Sequence, residues 1–174
     1  MDKTTWSVPI SVAEVPESGL HVELEADDAT RADLAKLSGL RTLPRLVATF
    51  DVARRGAGLG VSGHLSAIVG QTCVVTLEPI ENAVEEDIDL VFTEAQGSEA
   101  VVALSGENDD AETEALVDGR VDLGAIASEF LTLGVDPYPR KAGAEFDAPK
   151  SDTDGAHPFA ALAALKKDPG ASRS

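Results

Sequence analysis

The chain has 174 residues, 43% of them hydrophobic, which is enough for one domain with a buried core. Its 31 acidic against 14 basic side chains give a formal net charge of −17, which opposes non-specific docking on a phosphate backbone, since such docking draws on Lys and Arg. A single cysteine, Cys73, excludes an internal disulfide framework and a sulfur pair for zinc.

In chain order, Trp6, Val8 and Ile10 alternate with polar residues around Pro9, which suits an edge strand. Leu20, Val22 and Leu24 alternate with His21 and Glu23 as in a half-buried strand, which points His21 to solvent. Asp27 and Asp28 are N-cap candidates for a short amphipathic helix over Ala29 to Ser38, with Leu34 and Leu37 on one face and Gly39 as its stop. After Pro44, a strand carries Leu46, Ala48, Phe50 and Val52 on one face and ends at Arg54-Arg55-Gly56. Leu59, Val61, Leu65, Ala67 and Val69 continue the period of two, with Gly60, Ser62, His64 and Ser66 mostly opposite. The glycines of this stretch lack the G-x-x-x-x-G-K-[ST] order of a phosphate cradle and no helix follows them.

The same alternation places Cys73, Val75 and Leu77 on one strand face, with Glu78-Pro79 ending the pairing. Cys73 then sits in an apolar β-run with no His or Lys beside it, which reads as packing rather than as a nucleophile. Val84, Ile88, Leu90 and Phe92 make a further strand with acidic residues between them. The hydrophobic pattern thins to Ala100–Leu104, and an acidic loop follows near 105–114, whose oxygen-rich residues lack the spacing and internal glycine of a calcium loop. Asp122 is a good N-cap for the main core helix, with Leu123, Ile126, Ala127, Phe130, Leu131 and Leu133 at helical spacing and Gly134 closing it. Asp136 to Lys141, D-P-Y-P-R-K, is extended because two prolines forbid helix.

Residues 142–156 read as a flexible linker and 157–167 as an amphipathic helix, with Pro158 in its first turn and Phe159, Leu162 and Leu165 on one stripe. Residues 168–174 read as a disordered tail. A helix this short needs a surface to dock on, either its own domain or a partner. The expected fold over 1–141 is α+β: a curved antiparallel sheet or partial β-barrel, one main helix and a shorter one in the N-terminal half.

Charge is unevenly spread along this plan. From Gly56 through Gly119 there is no Lys or Arg, while Glu78, Glu81, Glu85, Glu86, Asp87 and Asp89 lie within it. That stretch is either a solvated face with an acidic loop or a landing site for a basic protein. Arg54, Arg55, Arg140 and Lys141 are the alternative, a patch for direct RNA contact if folding gathers them, although a chain only 4% aromatic offers little for base stacking. The histidines at 21, 64 and 157 form no Ser-His-Asp-like pattern, so no enzyme and no cofactor is expected. The first residues lack the regions of a secretory signal, and no window approaches the ~20 apolar residues of a membrane helix. A cytoplasmic protein with no membrane contact and no disulfide partner is expected.

Three pieces in order, Q-T-C-V-V-T-L-E-P at Gln71 to Pro79, V-D-L-G-A-I-A-S-E-F-L-T-L-G-V-D-P-Y-P at Val121 to Pro139, and H-P-F-A-A-L-A-A-L-K at His157 to Lys166, resemble the YceD family, the large ribosomal RNA subunit accumulation proteins. The likeness runs from about Trp6 to Lys167, with Cys73, Thr76, Pro79, Pro137, Pro139 and Pro158 at motif positions. The resemblance implies a non-enzymatic bacterial factor for accumulation or processing of large-subunit (23S) ribosomal RNA. Ribosomal proteins or other assembly factors are the implied partners, with ribosomal RNA contacted indirectly. Many relatives carry a C-x-x-C pair where this chain has Cys73 and Thr76, so metal binding is not carried over; this version resembles the alphaproteobacterial form.

Overall fold

Three long strands with a period of two build the centre of the protein, of which a computed structural model describes residues 6–93 and 112–146. The elements are β1 (Pro9–Ser11), β2 (Leu20–Glu25), α1 (Asp28–Leu37), β3 (Thr42–Arg55), β4 (Gly58–Thr72), β5 (Pro79–Thr93), β6 (Glu112–Ala115), β7 (Arg120–Asp122) and α2 (Leu123–Gly134), with one 3-10 turn at Val12–Glu14. The larger sheet has the order β2-β3-β4-β5-β6, and β1 pairs with β7 in a separate two-stranded sheet. The described residues to Ala144 form one compact unit. The expected helix over 157–167, with Pro158, Phe159, Leu162 and Leu165, lies outside the described residues, as do 94–111 of the expected acidic segment and most of the linker.

The apolar faces read from the sequence are the core. Leu46, Ala48, Phe50 and Val52 of β3, the inward residues of β4 from Leu59 to Val69, and Val84, Ile88, Leu90 and Phe92 of β5 are all buried in one cluster. Leu34 and Ala35 of α1, and Leu123, Ile126, Ala127 and Leu131 of α2, join it. Gly63 lies directly across from Phe50. A Cβ there would come within 2.9 Å of the Phe50 ring and 2.3 Å of the Thr49 carbonyl oxygen, so glycine is what lets the ring lie over β4.

Both helices begin at the aspartates expected to cap them. Asp27 accepts from the Thr30 amide at 2.8 Å, and Asp122 from the Gly124 and Ala125 amides at 3.1 and 3.2 Å. Gly39, at φ +65°, stops α1. Leu37 and Leu133 depart from expectation, since each is 72% exposed. At about 100° per residue, the stripe of α1 that goes inward centres between Leu34 and Ala35, which leaves Leu37 on the flank. Leu133 lies on the corresponding flank of α2.

Further expectations are corrected. The sheet is mixed rather than antiparallel, because β6 runs parallel to β5, Leu90 to Thr93 opposite Glu112 to Ala115. A parallel neighbour needs a crossover of about a dozen residues or more, and 94–111 supply that length. Glu112–Ala115 is therefore strand rather than loop. Among the described residues the sheet stays open, with β2 and β6 as the two ends of the strand order, which the expected curved sheet or partial barrel allows. Finally, β4 ends at Thr72 and Cys73 to Glu78 form a turn, so Cys73, Val75 and Leu77 do not share a strand face. Leu77 has φ 60°, which no strand allows. Pro79 opens β5 opposite Thr72 instead of ending the pairing. A first-residue proline costs a ladder no donor that it needs.

Candidate functional site

With the core on one side, the long strands turn their polar residues to the other. Glu81, Glu85, Asp87 and Asp89 alternate along β5 and are all exposed on this outer face. Glu23 and His21 of β2, Asp51 of β3, and Ser62 and His64 of β4 are exposed on it too. Glu86 is set apart from these: its even position turns it to the core side, within 2.5 Å of where a side chain on Gly134 of α2 would begin. The six carboxylates singled out in the sequence thus divide, with four of them on one surface that no other described residues cover.

The register brings two histidines into this anionic face. His64 lies directly across from Asp87, and its Nδ1 is 2.8 Å from an Asp87 oxygen while its Nε2 is 2.9 Å from Glu85. The other Glu85 oxygen accepts from the Ser66 hydroxyl at 2.9 Å, which in turn accepts from the Arg45 guanidinium at 2.9 Å. His21 lies directly across from Asp51, with its Nδ1 2.8 Å from that carboxylate and its Nε2 3.6 Å from Glu23. Hydrogen bonds to Asp87 and then Glu85 raise the pKa of His64. That to Asp51 raises the pKa of His21. The sequence alone left these histidines scattered, because strand register is what pairs them.

At the far end of the β4–β5 hairpin the Cys73 turn meets the Asp136–Lys141 segment. The Val74 amide donates to the Pro139 carbonyl at 2.9 Å, and buried Gln71 reaches the Asp136 carbonyl at 2.7 Å while accepting from Asn82 at 2.8 Å. Cys73 is buried, as expected, but its surroundings are polar. Its sulfur accepts from the Lys141 amide at 3.3 Å and the Thr76 amide at 3.4 Å. Those donors, Lys141 first, bring its pKa down from the ordinary 9.0 to about 6. The expectation of an unperturbed thiol in an apolar β-run is corrected: backbone amides, which no composition reveals, do what a neighbouring His or Lys was thought necessary for. A metal held by cysteine pairs does not fit this corner, where Thr76 is exposed, Lys141 brings an amide in place of a thiolate, and Cys73 is the chain's one cysteine. Among the described residues no group of three or more His, Cys, Asp or Glu is placed to hold a metal ion.

Of the other motif positions, Pro79, Pro137 and Pro139 fall around the same corner, and Pro158 lies outside the described residues. Pro139 is buried and Pro137 exposed. Glu78 pairs with the Lys141 ammonium at 2.9 Å, which lowers the Glu78 pKa and raises that of Lys141. The basic residues considered for RNA are not gathered. Arg54 and Arg55 end β3 beside the start of β4, and Lys141 sits past its other end, roughly 45 Å of strand away at ~3.3 Å per residue. Arg140 is the residue next to Lys141. Arg54 spends its guanidinium on the Val15 and Ala13 carbonyls, at 2.6 and 3.4 Å. No helix among the described residues is long and apolar enough to cross a membrane.

No curated protein and no solved structure compared with the chain matches it. A family model does, that of the large ribosomal RNA subunit accumulation protein YceD, over residues 61–166. The match takes in β4, β5, β6, β7, α2 and the Cys73 corner, along with every motif piece that carried the resemblance. It does not extend over Trp6 to Gly60, which the resemblance had included. Covering well over half of the chain, it shows that the protein belongs to the YceD family.

Proposed function

We propose that the protein is a non-enzymatic cytoplasmic factor that supports accumulation or processing of large-subunit ribosomal RNA by binding basic proteins of the assembling particle. The family description supports the biological setting. The observation that carries the mode of action is the outer sheet face, where Glu81, Glu85, Asp87 and Asp89 line β5 with no helix of the described residues over them. Such a surface raises the local concentration of basic partners and repels phosphate. The segment 157–167, expected from its sequence to be an amphipathic helix with Phe159, Leu162 and Leu165 on one stripe, is a second contact in this proposal.

The test is a pull-down with the tagged full chain at low and moderate salt, with and without RNase. Basic large-subunit proteins recovered after RNase, lost as salt rises, and lost in an Asp87→Lys/Asp89→Lys variant are the expected result. Recovery of ribosomal RNA that resists both salt and the variant would replace this reading with direct RNA binding.

A further inference from the structure

The two histidines of the outer face are each placed where a cation belongs. In a neutral imidazole one ring nitrogen donates and the other accepts. His64 has a carboxylate oxygen at 2.8 Å from one nitrogen and another at 2.9 Å from the other, so only the doubly protonated ring satisfies both contacts. His21 repeats the design at the sheet edge, with an aspartate directly opposite and Glu23 two residues along its own strand. The ring of each therefore neutralises charge that a basic partner would otherwise meet.

Among the described residues the surroundings contain little else that could do this. Around His64 the charged groups are Asp87 and Glu85 on β5 and, through Ser66, Arg45 on β3. Around His21 they are Glu23 on β2 and Asp51 on β3, with Arg55 and Asp89 sharing a shallow hollow of about 360 Å³ beside it. Among the described residues β2 is the end strand, and no further strand faces His21 from outside.

We propose that His64 and His21 are a protonation switch on the outer sheet face: as imidazolium ions they occupy its carboxylates and compete with a basic partner, and as neutral rings they release them. The inference rests on the reading of this face as a docking surface for basic proteins and assigns its regulation. Because the carboxylates hold the protons above the ordinary histidine value, the change falls on the alkaline side of about 6.5. Below it the face is partly self-neutralised; as pH rises through the shifted values it gains up to two negative charges. By linkage, a basic partner that binds there expels those protons.

The experiment uses the full chain and a fluorescent oligolysine peptide at low salt, titrated from pH 6 to pH 8.5. The wild type is expected to bind about three- to tenfold more tightly at the upper end, the scale of losing one or two exposed ion pairs. A His21→Gln/His64→Gln variant, altered only at exposed side chains, is expected to bind with the wild type's high-pH affinity throughout. Calorimetry in buffers of different ionisation enthalpy should show proton release on binding near pH 7 by the wild type, and less by the variant. If the variant binds but keeps the wild-type pH step, the switch is overturned and the docking surface stands. If neither protein binds oligolysine at any pH, the docking surface falls and the switch with it. Histidine ring NMR titrations of the free protein give an independent check: ordinary values for both rings would overturn the switch even if binding persists.

Discussion

The Asp122 carboxylate shows how much one side chain can tie together. Besides capping α2, it accepts from the Val8 amide at 2.7 Å and the Ser7 hydroxyl at 2.5 Å, and so fastens the N-terminal segment to the helix start. Asp122→Ala should cost about 2 kcal/mol, the upper end for a cap, measured as a lower urea midpoint with an unchanged slope. Cys73 makes a prediction of a different kind. A thiol whose folded pKa is about 6 against an ordinary 9.0 adds stability that grows as pH rises from about 6 to about 9 and is absent below that window. Thiolate absorbance at 240 nm should rise with a midpoint near 6 in the native protein, and Cys73→Ala should flatten the pH dependence of unfolding over that window. A midpoint near 9 would show that burial outweighs the two amide donors. The capping aspartates could be read from sequence because a cap is local; the environment of Cys73 could not, because its first donor lies at Lys141, 68 positions away.

Among elements, the β4–β5 hairpin organises the rest. Its turn is held by the Cys73 amide on the Glu78 carbonyl and the Leu77 amide on the Cys73 carbonyl, both at 2.9 Å, and the turn position sets which residues face each other along both strands. That register is what puts His64 opposite Asp87. The segment after α2 is strapped to the same corner through Gln71. Gln71→Leu would strand the Asn82 amide and the Asp136 carbonyl, each in a part-buried contact. A loss of about 1–3 kcal/mol is expected. Hydrogen exchange should quicken first at Val74 and Lys141, whose amides cross between the two segments; unchanged protection there would mean that the strap is held by other contacts. The alternation that made β2 to β5 legible is a property of each strand alone. The parallel placement of β6 is not, since it depends on where the chain returns after 94–111.

For the whole molecule, the net charge of −17 has a consequence for stability. Glu81, Glu85, Asp87 and Asp89 stand two or four residues apart on one strand face and repel one another. Raising sodium chloride from about 0.02 to 0.3 M shortens the screening length well below 10 Å. It should therefore raise the melting temperature by a few degrees, and more so on the alkaline side of the raised histidine values, where the rings no longer offset the repulsion. A melting temperature that falls with salt would mean that attractive pairs such as Lys141–Glu78 outweigh this repulsion. The same salt weakens the proposed docking, so stability and partner binding are expected to move in opposite directions.

The sequence by itself determined the elements whose signals are local: the inward faces of β3, β4 and β5, the Asp27 and Asp122 caps, the glycine stop of α1, and an excess of carboxylates over Gly56–Gly119. It also carried the motif pieces that mark the YceD family. Only the tertiary structure decided which residues of other strands share a surface with Glu85, Asp87 and Asp89, because strand order and register set those neighbours. Only it decided that His21 and His64 each meet an aspartate across a strand pair, and that the distant Lys141 amide joins the local Thr76 amide on Cys73. Periodicity states which side of a strand a residue faces, whereas strand register and chain return state what it faces there.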